Sequence, residues 1–385
     1  MFKKLIYSIF TIVLFLSYTS CSPKETKAPV PGVSPTIKPA AGSLPKDTWQ
    51  AEWQTTLSIA KKEGKVTLFM EAVASPAKEP IMKAIKEKFG LEAEVLAMVS
   101  GELNARVLNE RKAGLFYNDL IITGGGSMAN TLIPAGLFGA LEAAFILPEV
   151  KDEKQWREGK MPWFDKDRTV LSSVLFVQEG ATINSALVKK DELKSYRDLL
   201  DSKWKGKIIM NDPTIPGKGI NIFQGMRKLM GENFLRELAK QDIVLSRDQR
   251  QMAEWLAHGK YALGLAISTP LAEEMRLAGG PIDYVEFKEG AGLTTGGSFI
   301  GIMDRPAHPN ASRTFVNWFL SREGQTVWSQ SLKYISRRID TPTEHLQPIN
   351  VPKSGVKYID DTAEFYLEWP EGMKLAREIL IAGPR

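Results

Sequence analysis

Residues 119–127 read Asp-Leu-Ile-Ile-Thr-Gly-Gly-Gly-Ser. The apolar run has no polar alternation, which is the pattern of a short strand buried on both faces rather than one. Three glycines then leave the backbone open, and the serine begins a helical stretch. Working outward, residues 65–70 (Lys-Val-Thr-Leu-Phe-Met) and 91–97 read as two more strands. Helices alternate with them. Residues 48–62 place Trp49, Trp53, Leu57 and Ala60 on one face, with Gly64 as the stop. Ser75-Pro76 reads as an N-cap with proline at the first helical position, ahead of inward-facing Ile81, Ile85 and Phe89 and a stop at Gly90. Residues 102–113 carry Leu103 and Val107 inward and end at Gly114. Alternating strands and helices predict a parallel sheet covered on both faces. Such sheets bind ligands beyond the carboxyl ends of their strands, so residues 71–75 and 124–128 are the places to look.

The second half repeats the theme. Strands are expected at 207–210, 243–245 and 261–267, and helices at 220–230, 247–258 and from Ser268-Thr269-Pro270 to about 277. Two further apolar runs, 170–177 and 298–303, border this block and read as the connecting strands between two lobes.

The N-terminus has a different character. Lys3 and Lys4 precede an apolar stretch from Leu5 to Leu16, then small and polar residues up to Cys21, the only cysteine in the chain. The stretch is shorter than the ~20 apolar residues a spanning helix needs and has the build of a secretory signal. Cutting before Cys21 would expose it for acylation, although Tyr18 stands where such signals carry leucine. An ordinary signal with a stray cysteine, or a short N-terminal anchor, shares these flanks. Residues 22–47 hold six prolines and almost no bulky apolar side chain, so they read as an extended tether. With no second cysteine, an exported chain must be held together by its core rather than by disulfides. A formal net charge of +5, lowered by two if Lys3 and Lys4 leave with the signal, is mild. The basic residues are dispersed and no nucleic-acid-binding motif is present.

Five stretches carry a resemblance: WQTTLSIAKKEGKVTLF (53–69), NDLIITGGGS (118–127), KGKIIMNDPTIPGKG (205–219), GGSFIGIMDRPAHPNASRTFVNWFLSREGQ (296–325) and ISRRIDTP (335–342). Together they resemble the extracellular solute-binding proteins of ABC importers, in the branch with ferric-iron, thiamine and phosphonate binders. The resemblance runs from about residue 48 to about 345. It implies an α/β, two-lobed periplasmic-binding-protein-like type II fold, each lobe a mostly parallel sheet flanked by helices, with the ligand cleft between lobes. On that basis the chain divides into a signal peptide (1–20), a tether (21–47), lobe 1 (48–171), lobe 2 with hinge strands at its borders (172–303), a return to lobe 1 (304–350) and a C-terminal helical segment (351–385). The resemblance also implies a periplasmic or outer-surface location, a small-molecule solute and an ABC permease as partners, and a monomer; the N-terminal segment separately resembles a lipoprotein signal, which implies a lipid anchor at Cys21. Iron-binding members place two adjacent tyrosines after the third strand of lobe 2; here Ser268 and Thr269 stand there, and hydroxyls are poor substitutes for phenolates on a hard cation.

The candidate ligand residues follow from strand ends and helix starts. Gly125 and Gly126 offer backbone N–H groups and Ser127 a side chain. In the second lobe Gly217 and Gly219 allow close approach, Thr214 supplies a hydroxyl and Lys218 a charge. An ordinary strand–helix turn accounts for both loops equally. Ser268 and Thr269 cap a helix and face the same end. Ser75 is a cap or, with Glu71, a contact for an amine or hydroxyl. His258, His308 and His345 are scattered without metal-ligand spacing. Trp163 and Trp204 are either core or cleft rim. No nucleophile–base pairing, metal cluster or cofactor motif is present to favour an enzyme, and the resemblance implies capture of a small solute, here polar or anionic and without cofactor. An enzyme on a similar scaffold and a tethered sensor are the alternatives.

Overall fold

The computed structural model describes residues 48–178, 180–346 and 348–382. The signal, Cys21 and the tether lie outside the described residues. Among the described residues no helix is long and apolar enough to cross a membrane.

Two five-stranded sheets form the two lobes. The first runs, edge to edge, Glu92–Met98, Lys65–Glu71, Leu120–Thr123, Phe299–Ile302 and Val170–Ser172. Its first three strands are parallel, with Leu68 opposite Leu120 and Val95; Phe299–Ile302 joins antiparallel, with Phe299 opposite Thr123. Leu120–Thr123 is buried throughout, as its unbroken apolar run requires. Alternation sorts the rest: Leu68, Met70 and Ile122 pack under the outer helices, whereas Phe69 and Ile121 face the opposite core. The second sheet runs Ile282–Val285, Ala181–Asn184, Leu263–Leu265, Ile208–Asn211 and Val244–Ser246, parallel in its last three strands and antiparallel in the others.

A third sheet, Ile335–Ser336, Val174–Val177, Ala291–Thr294 and Tyr358–Asp360, joins them. The chain leaves the first lobe through Val174–Val177 and returns through Ala291–Thr294, paired antiparallel with Leu293 opposite Val177. The apolar run 170–177 is therefore two strands in two sheets, divided at Ser173, whose hydroxyl is bonded to the Ser298 carbonyl. Phe299–Ile302 belongs to the first sheet rather than to the connection. The connecting strand is instead the short, glycine-containing Ala291–Thr294, whose pattern is too weak to read from sequence.

Ser75 does not cap a helix. Residues Ala72–Ala77 form a 3-10 turn, and the helix starts at Lys78 with Ala77 as its N-cap. The remaining helices keep close to their expected spans, with Thr48–Glu63, Ser100–Lys112, Lys218–Met230 and Thr269–Leu277 framing the lobes.

The first lobe is closed by the helix Pro309–Leu320, whose Asn317 is fully buried. Its Oδ1 accepts from the Ile146 and Leu147 N–H groups at 2.7 and 2.9 Å, and its Nδ2 donates to the Ala144 and Arg313 carbonyls at 2.8 Å. Asn317→Ala would strand these backbone groups away from water, lowering stability by about 3 kcal/mol or more. Equilibrium urea unfolding should show that loss, whereas a surface change such as Lys61→Ala should fall within about 0.5 kcal/mol of wild type.

Candidate functional site

A cavity of about 570 Å³ opens between the lobes. The first lobe supplies Glu71, at the end of its strand, and the loop Gly124–Ser127. The second supplies Gly217 and Lys218, opening the helix Lys218–Met230, and Ser268 and Thr269, opening Thr269–Leu277. Behind them the connecting sheet contributes Phe176, whose ring stacks on Tyr334 at 4.1 Å between centroids with 17° between planes. Tyr366, Trp369, Pro370 and Met373 of the C-terminal segment form a further wall.

The glycine loop is arranged differently from the open anion cradle that its sequence suggests. The Glu71 carboxylate already sits at the start of the helical turn. Its Oε2 accepts the Gly124 N–H at 2.6 Å and the Thr123 hydroxyl at 3.1 Å, and its Oε1 accepts the Ser100 hydroxyl at 2.5 Å. The protein thus places its own negative charge where the partial positive charge of a helix start would draw one. Gly125 and Gly126 are required by close packing from the other side. A Cβ on Gly125 would lie 2.1 Å from the Tyr366 ring, and one on Gly126 2.6 Å from the Trp369 ring. Ser127 accepts a hydrogen bond from Asn104 Nδ2 at 3.1 Å. Asn104 lines the cavity, and its Oδ1 is buried out of reach of the open space with no hydrogen-bond partner among the described residues.

In the second lobe Gly217 adopts φ 143°, a backbone state that side-chain-bearing residues rarely adopt. Lys218 Nζ donates to the Ile267 carbonyl and, at 3.3 Å, to the Thr269 hydroxyl, tying two helix starts together. Gly219 and Thr214 do not line the cavity. Gly219 packs against the Asn211 carbonyl, 2.4 Å from where a Cβ would be, and Thr214 closes a turn on Asp212 through its N–H and hydroxyl. Ser75 is also outside it. Trp204 is core, and Trp163 stacks on Phe145 at 5.8 Å away from the cleft. His308 braces the first lobe, its Nδ1 lying 2.9 Å from the buried Asp119. No group of three or more His, Cys, Asp or Glu side chains among the described residues is placed to hold a metal ion.

The C-terminal wall of the cavity is not legible in the sequence. It is held from three sides. Toward the first lobe, Asn130 Nδ2 donates to the Tyr366 carbonyl at 3.1 Å. Toward the second, Glu368 accepts from Gln224 and Lys228, Glu371 pairs with Arg227, and Arg377 donates to the Thr214 carbonyl. Toward the connecting sheet, Asp361 accepts from the Thr294 hydroxyl, the Thr295 N–H and hydroxyl, and the Tyr366 hydroxyl, all within 2.7–3.0 Å. Burial pushes the Asp361 carboxyl up to about 6, against the opposing pull of Arg337, whose Nη2 lies 3.8 Å away.

The family described as bacterial extracellular solute-binding protein matches residues 81–343 of this chain. Among solved structures, iron-bound HitA from Pseudomonas aeruginosa is 18% identical, with a TM-score of 0.63 over 82% of this chain and 98% of that one. AfuA from Actinobacillus pleuropneumoniae, with fructose-6-phosphate bound, is 19% identical, with a TM-score of 0.62 over 82% and 97%. The substrate-binding protein of an ABC transporter from Agrobacterium tumefaciens is 14% identical, with a TM-score of 0.64 over 82% and 94%. At these identities the likeness is one of fold. An uncharacterized protein from Haemophilus influenzae is 30% identical over 153 residues, which span 37% of this chain and 41% of that relative.

A carboxyl whose folded pKa lies above its unfolded one contributes stability that is fully present below about 4 and lost as pH rises through about 6. Wild type should therefore lose stability relative to Asp361→Asn as pH rises from about 4 through about 6, by an amount on the order of 2 kcal/mol. Paired urea melts across that range check both the sign and the window.

Proposed function

The chain belongs to the bacterial extracellular solute-binding proteins, and from that membership we propose that it captures a small organic solute between its lobes and delivers it to an ABC permease. The observation that carries the proposal is the position of the cavity. It is walled by strand ends and helix starts of both lobes, while the chain passes between them through one small sheet. Two rigid lobes on a short connection close by hinge motion, and closure buries whatever lies between them. In this reading Val170–Ser172 and Phe299–Ile302 complete the first lobe, Val174–Val177 and Ala291–Thr294 are the hinge, and the solute contacts are Glu71, Asn104, Ser127, Lys218 and Ser268. Ferric iron is a poor fit, because Ser268 and Thr269 occupy the place of the tyrosine pair and a bare ion would leave most of about 570 Å³ unfilled. The reading is of capture without turnover.

Cys21 extends the proposal to location. An acyl chain there, followed by the Pro-rich stretch to residue 47, would hold the binding unit beside the membrane that carries the permease.

Capture predicts that a recognised solute raises the melting temperature of the purified protein, since a ligand of the native state stabilises it by mass action. The solute should be recovered chemically unchanged by chromatography after prolonged incubation. Conversion of any bound solute would overturn the reading in favour of an enzyme. Separately, the expressed full chain should incorporate labelled palmitate and Cys21→Ser should not; labelling of neither would leave the binding unit freely diffusing.

A further inference from the structure

The charged residues at the cavity wall among the described residues are Glu71 and Lys218. Both are engaged. Glu71 holds three donors of its own lobe, and Lys218 holds a carbonyl and a hydroxyl of the next helix start. An ion entering the cavity would compete with these bonds and lose its hydration.

The C-terminal helix Trp369–Ala376 faces this space with Trp369, Pro370 and, one turn on, Met373. Trp369 is held in place by its seat on Gly126 and by the Tyr366 ring 4.9 Å away. Met373 is partly exposed and can adjust its shape beside the fixed indole. One turn from Trp369 on the same helix, Gly372 packs against Gln224 and Ile220 of the second lobe.

The geometry points to the C-terminal segment as the specificity-determining wall of the cleft, selecting an uncharged organic solute that lays an apolar, ring-like face on Pro370 and Met373, beside the edge of the buried Trp369. The inference rests on the solute-capture reading and narrows it. Apolar contact along this wall gives affinity without a counter-charge.

The test uses the full chain with four probes: adenosine and p-nitrophenyl glucoside, which carry an apolar face, and inorganic phosphate and ferric citrate, which do not. At least one faced probe should raise the melting temperature by about 2 °C or more near saturation. Trp369→Phe should retain that binding. Trp369→Ala and Met373→Gln should each weaken it about tenfold or more by fluorescence titration, a difference of about 1.4 kcal/mol. Met373 is partly exposed, so Met373→Gln keeps the test informative if Trp369→Ala unfolds. Binding of phosphate or ferric citrate in place of the faced probes overturns the wall assignment while leaving capture intact. Unaltered affinity in Met373→Gln also overturns it. Silence of both faced probes counts against the wall assignment, while capture stands or falls separately on whether any solute raises the melting temperature.

Discussion

Asp361 joins three parts of the molecule through one carboxylate. It takes donors from Thr294 and Thr295, at the end of the strand that returns to the first lobe, and from Tyr366, whose ring fills the space over Gly125. Burial alone would oppose a charge there; the donor set and Arg337 make it tolerable. The consequence is mechanical. The connecting sheet, the C-terminal wall and the glycine loop are held in one arrangement by the bonds of one side chain and the ring it fixes.

Glu71 sets the electrostatic character of the same space. A helix start attracts negative charge, and here the strand that precedes the loop in space provides it. The loop is therefore neutral toward a ligand, and its glycines serve the close seating of Tyr366 and Trp369 instead. Lys218 plays the corresponding part in the second lobe, joining two helix starts. The cavity wall that results is largely one of rings, carboxamides and hydroxyls.

The strands and most helices of both lobes are legible in the sequence because they follow strong local rules. Leu120–Thr123 is apolar without interruption, and the helix Lys78–Phe89 carries Ile81, Ile85 and Phe89 on one buried face before Gly90. The serine–proline pair misplaces the start of that helix because two extra residues of turn intervene before Lys78. The second connecting strand escapes a sequence reading because Ala291-Gly-Leu-Thr is short and its pairing with Val174–Val177 is entirely non-local. The glycine loops point to the right end of each sheet, and Gly125, Gly126, Ser127, Gly217, Lys218, Ser268 and Thr269 do meet at the cavity. What the loops are for is not legible. Glu71 lies 53 residues before Gly124 in the chain and Trp369 far beyond it, and only the folded arrangement brings a carboxylate to one side of the loop and an indole to the other. Thr214 and Gly219 show the complementary case, in which a loop with ligand-like composition serves its own turn.

The central claim is that the two lobes close on a solute about the connecting sheet. Val99 and Leu277 are exposed and stand on opposite lobes, each close to an element that borders the cavity. Spin labels at Val99→Cys and Leu277→Cys, in a chain carrying Cys21→Ser, report the separation of the lobes by pulsed electron resonance. Adding a solute that raises the melting temperature should shift the distance distribution to shorter values and narrow it. An unchanged distribution at saturating solute would contradict the account.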